Sequence, residues 1–175
     1  MRFNGGVASS SALEEVLTRA GGTVTGTLEQ LVGEPIDAEA RGHRVATAGR
    51  TDNLGVPDGH PLLCRAATLV GRQSGRAYVV ALTLIVPSRL TAGFGSQLES
   101  RREPIGRILE AEGIDVTREA LAGPDPTARS IWPDIAPPAG SVLLARTYRV
   151  HAGGVPVMVI SEWFLTTLGQ FLPAT

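Results

Sequence analysis

At 175 residues, with 43% hydrophobic and 19% charged residues, the chain has the length of one domain and the composition of an ordinary globular protein. A net charge of -1 points to neither nucleic acid nor an anionic membrane surface as a partner. All sixteen basic residues are arginine and Cys64 is the single cysteine, which removes Schiff-base chemistry through a lysine, an internal disulfide and a cysteine-rich zinc site.

Residues 1–10 are rich in Gly and Ser and are expected to fray. Ser9, Ser10 or Ser11 suits the N-cap of a helix reaching about Ala20, with Leu13, Val16, Leu17 and Ala20 on one face. A second short helix is expected from Thr25 or Gly26 to Val32, stopped by Gly33. Ile36 to Thr47 mixes charged and small residues and reads as a half-exposed strand, followed by a loop over 49–61. Leu62–Val70 and Ala77–Val86 form a hairpin about a turn at 71–75. Residues 90–101 read as irregular with a short helix. Pro104 to Glu112 has proline at the start of a helix and Gly113 just past its end. Ile114 to Leu121 reads as a strand with few apolar residues. Residues 123–140 hold five of the twelve prolines and Trp132; such a segment is a cover over a site or a disordered connection. The last hairpin runs from Leu143 to Leu165 about His151-Ala152-Gly153-Gly154.

Strands that come as hairpins, with helices mainly in the first half and middle, predict an antiparallel α+β fold rather than βαβ units. The N-terminus has no long apolar run and no stretch approaches a membrane span, so a soluble, cytoplasmic protein is expected. No dinucleotide or P-loop glycine motif, no GxSxG and no metal-ligand spacing among His43, His60 and His151 occurs. Cys64 reads as a small buried hydrophobe.

Two charges stand out because alternation along a strand places them among aliphatics. Glu162 shares a face with Met158, Ile160 and Phe164, and Arg65 with Leu63, Ala67 and Leu69. A carboxylate or guanidinium held there is expensive unless it is paired. The anion for Arg65 is either Glu162 or a ligand carboxylate, which suits arginine's planar fork. The alternatives are therefore a structural ion pair or a pocket for a carboxylic acid in which Glu162 moves a proton. Arg146 shares its face with Leu144, Tyr148 and Val150 and is the candidate for a ligand contact; Arg149, on the other face, is expected in solvent.

The run from Ala145 to Leu165 resembles the C-terminal hairpin of the chorismate pyruvate-lyase family, in particular its actinobacterial members that form 4-hydroxybenzoate. Gly22–Leu28, Leu63-Cys64-Arg65 with the hairpin to Leu90, and Glu103–Leu109 resemble further family segments in order, so that the likeness covers most of residues 22–168. The resemblance implies a single chorismate lyase-like domain over 1–175. It also implies about six antiparallel strands with helices packed on them, around a buried pocket. It implies a cofactor-free lyase that converts chorismate to 4-hydroxybenzoate and pyruvate. A monomer or homodimer serving secondary metabolism is expected. Carried over, Arg65 holds the ring carboxylate, Glu162 transfers a proton near the para oxygen and Ile105 meets the ligand through its backbone N–H. Val24 stands for a pocket methionine and Leu82 falls near a pocket glycine. Thr147 stands where an arginine is common, which takes one cation from the lining expected for a dianionic acid. The alternatives are another small acid as substrate, or the ligand-sensing domain of a GntR-type regulator. The twenty-odd residues before Thr23 leave no room for such a regulator's helix-turn-helix.

Overall fold

The structure, a computed structural model, describes residues 5–49, 53–100 and 102–173. Residues 1–4, 50–52 and Arg101, within segments read above as frayed, loop and irregular, lie outside it. Helix α1 spans Gly5–Arg19 and so starts upstream of the expected serine cap; α2 spans Val24–Val32. Thr23 caps α2 by accepting from the Gly26 N–H at 3.2 Å, and Gly33 ends it at φ 76°, which suits glycine. The strands are β1 Ile36–Thr47, β2 Pro61–Gly71, β3 Ala77–Ile85, β4 Val116–Leu121, β5 Val142–Ala152 and β6 Val155–Leu165. The remaining helices are α3 Ala92–Glu99, α4 Ile105–Ala111 and α5 Pro126–Ile131.

All six strands form one antiparallel sheet in the order β1-β2-β3-β6-β5-β4. The hairpins β2–β3 and β5–β6 meet along β3 and β6, which buries the most apolar strands in the centre. The charged, half-exposed β1 and β4 take the edges, where a polar strand blunts edge-to-edge pairing.

One face of the sheet presents Cys64, Ala66, Val80, Leu82, Leu84, Val159 and Trp163. It is covered by Leu54 and Val56 from the segment after β1 and by Ala128 and Ile135 from the α5 region. The segment 123–140 is thus neither an unstructured connection nor a cover over the cavity described below. Asp125 caps α5 by accepting from the Thr127 and Ala128 N–H groups, and Arg44 stacks on Trp132 with its guanidinium carbon 3.7 Å from the ring centroid.

The opposite face is packed at its two ends by separate clusters. Leu69, Val79 and Phe164 meet Leu13 of α1, Leu28 of α2 and Leu168 at one end. Ile85, Val150 and Met158 meet Phe94 and Leu98 of α3 and Ile108 of α4 at the other. Between these clusters the register sets two rows of residues side by side. One is Arg65, Thr83, Ile160 and Tyr148; the next is Ala67, Ala81, Glu162 and Arg146. Two alanines in the middle of a row flanked by large aliphatics leave a hollow.

Candidate active site

The hollow is a cavity of about 50 Å3. Its floor is the middle of the sheet; its cover is Val24 and Thr25 at the start of α2, with Pro104, Ile105 and Gly106 at the start of α4. Gly106 lets the two helix starts meet, since a Cβ there would lie 2.9 Å from the Thr23 Cβ.

Arg65 is 3% exposed at one end of the cavity. Its Nη2 donates to the Glu103 carbonyl at 2.9 Å, and its Nε is buried without a hydrogen-bond partner. Among the described residues it makes no ion pair. Burial pulls its pKa down to about 10, so the side chain is a cation at neutral pH. A guanidinium with unused donors on a cavity is built to receive an anion.

Glu162 does not supply that anion, because it is engaged elsewhere. Its Oε2 accepts from Arg146 Nε at 2.9 Å and its Oε1 from the Tyr148 hydroxyl at 3.0 Å. Arg146 lies directly across from Glu162 on β5, whereas Arg65 sits two strands away in the neighbouring row. Burial, then the negative charge of Glu162, hold the Tyr148 phenol well above the usual tyrosine range, so it remains the donor of that bond. The carboxylate of Glu162 is thereby fixed with an edge on the cavity, in the neighbouring row to Arg65.

Of the residues expected from sequence, Arg65, Glu162, Ile105 and Val24 line the cavity. Arg146 reaches it only through Glu162 and otherwise lines the outer recesses. Leu82 is a correction: it points to the opposite face, 1% exposed in the other core, because its neighbours Ala81 and Thr83 take the cavity side of β3. Thr147 also faces away, its hydroxyl 3.1 Å from that of Ser161, so its replacement of an arginine removes no charge from the cavity. Tyr148 and Arg118 line the cavity and were not anticipated. Tyr148 was legible as the residue two positions from Arg146, on the same face. Arg118 was hidden by the weak apolar pattern of β4.

The sulfur of Cys64 is in the opposite core, and burial pushes its pKa up to about 12, which makes it inert. Among the described residues no three His, Cys, Asp or Glu side chains gather as metal ligands, and no helix is long and apolar enough to cross a membrane.

No family model matches the chain. The chorismate pyruvate-lyase of Mycobacterium tuberculosis is 26% identical to it over 171 residues, covering 90% of this chain and 82% of the relative. That of Mycobacterium leprae is 28% identical over 165 residues, covering 90% and 76%. The chain is thus similar over most of its length to mycobacterial chorismate pyruvate-lyases. Among solved structures, the effector domain of PhnF from Mycobacterium smegmatis matches with a TM-score of 0.59 at 15% identity, over 83% of this chain and 90% of that one. That likeness shows a fold shared with the PhnF effector domain.

Proposed function

We propose that the chain is a chorismate pyruvate-lyase acting as one domain, with the cavity between the two core clusters as its active site. The observation that carries this reading is a buried arginine with unused donors facing the same cavity as a fixed glutamate. In this reading Arg65 binds the ring carboxylate of chorismate. The ring then lies over Ala67 and Ala81, whose small side chains leave it room, with Val24 and Ile105 against its upper face. The substituted edge of the ring faces Glu162.

The reaction breaks the bond between the ring and the enolpyruvyl oxygen. A proton leaves the ring carbon that bears the hydroxyl, and the released enolpyruvate takes up one proton to become pyruvate. One proton leaves and one is gained, and the ring becomes aromatic, which supplies the driving force. The protein has to orient the substrate and carry the proton. Glu162 does the second task in this reading, with its carboxylate aimed by Arg146 and Tyr148.

The cavity's 50 Å3 is well below the ~300 Å3 of a small-molecule site. Substrate entry therefore requires the starts of α2 and α4 to move apart. They meet where Thr23 packs against Gly106.

Regulator effector domains share the fold, so binding without turnover is the competing outcome. A pair of variants separates the two. Glu162→Gln keeps binding of 4-hydroxybenzoate and loses kcat by about 10²–10⁴-fold, the range for a general acid–base group. Arg65→Ala loses both binding and turnover. Wild-type rates in Glu162→Gln would remove the proton role.

A further inference from the structure

The mouth of the cavity carries a second cation that the mechanism above leaves unused. Arg118 stands on the edge strand β4, across from Val150, and is exposed to solvent. It lines the cavity from the side opposite Arg65, since the sheet order sets β2 and β4 on either side of β3, β6 and β5. Its guanidinium carbon lies 5.8 Å from the Tyr148 ring centroid, so the side chain leans inward over β5. Among the described residues Arg118 makes no ion pair; the adjacent Glu119 faces the other way and bonds Arg149 at 2.8 Å.

Outside Arg118 lies a recess of about 180 Å3 that shares Val24 and Arg118 with the cavity. Arg146 lines it too, and none of its lining residues is acidic. The recess beside the cavity thus carries two guanidinium groups, and the cavity ends on a third.

We propose that Arg118 binds a second carboxylate of the substrate, which makes the site one for dicarboxylates. Arg65 takes the inner carboxylate and Arg118 the outer one, with Glu162 and Tyr148 between them. The inference rests on the lyase reading for the identity of the outer carboxylate, that of the enolpyruvyl group. In that case Arg118 holds the leaving group at the mouth, on the side from which pyruvate departs.

Equilibrium binding tests this without requiring turnover. Chorismate and 4-hydroxybenzoate, with two carboxylates and one, are titrated calorimetrically into Glu162→Gln and into Glu162→Gln/Arg118→Gln. The expected result is that loss of Arg118 weakens chorismate about tenfold, as for one charge-assisted hydrogen bond, and leaves 4-hydroxybenzoate within about twofold. Arg118→Lys should restore part of the loss, and raised salt should narrow the difference because the group is exposed. Equal weakening of both ligands would make Arg118 a shape-setting residue and overturn the proposal. No change for chorismate, or no binding of chorismate at all, would overturn it as well. Turnover by the unaltered protein is read separately: chorismate bound through Arg118 but never converted would sink the lyase reading and leave the dicarboxylate site standing.

Discussion

On β2, Cys64 and Ala66 pack into one face of the sheet while Arg65 and Ala67 floor a cavity on the other. The same division recurs on β6, where Val159 and Trp163 fill the first face and Glu162 lies on the second. The first face is mainly apolar, closed by Leu54, Val56 and the segment 123–140 in a single cluster. The second is closed only at its ends, by two clusters that leave the middle to a buried cation, a buried anion and two alanines. Strand alternation lets one set of strands serve both purposes, because a change on one face leaves the other's side chains in place. The first face holds the fold together; the second gives up packing to hold a charged ligand.

Substitutions on the two faces should therefore separate stability from binding. The largest stability effect is expected on the first face. Leu82→Ala, at a fully buried position, should cost about 2–5 kcal/mol of unfolding free energy in a denaturant titration. At a temperature where the variant is folded, its KM for chorismate should stay near the wild-type value. A KM change without a stability loss would return Leu82 to the cavity side.

Arg65→Met should do the reverse. It removes a buried cation that has no carboxylate partner among the described residues, and relieving that burial should stabilise the fold by about 1–3 kcal/mol. In a protein of this size that raises Tm by about 2–4 °C for each kcal/mol, while binding of 4-hydroxybenzoate is lost. A melting temperature below wild type would mean that Arg65 is a structural tie to Glu103. The stabilisation would be a cost that the site imposes on the fold, as function commonly does.

Tyr148→Phe should have the smallest effect. It removes one donor from Glu162 and leaves Arg146 in place, so kcat should fall by about tenfold, with chorismate KM little changed. Retention of full kcat would show that Arg146 alone aims the carboxylate.

Much of this division was legible in the chain. Period-two alternation identified Arg65 and Glu162 as charges on apolar faces, and both line one cavity. It did not reveal which charges meet. That depends on the pairing of β3 with β6 and β5 with β6, which places Arg146 across from Glu162 and leaves Arg65 to the cavity. Leu82 shows how sharply register matters, since a shift of one residue along β3 exchanges it with Ala81 and reverses its face. The helix at 126–131 was marked by Asp125 before Pro126, a cap followed by proline at the first helical position, yet the density of prolines around it reads as loop. Arg118 could not be found from pattern, because an edge strand need not be apolar and β4 is not.

The most direct test of the lyase account is to incubate the purified protein with chorismate and quantify 4-hydroxybenzoate and pyruvate together over time. The account predicts equal amounts of both, formed well above the rate of spontaneous decay and lost in Glu162→Gln. Chorismate left intact, or pyruvate released with a product other than 4-hydroxybenzoate, would contradict it.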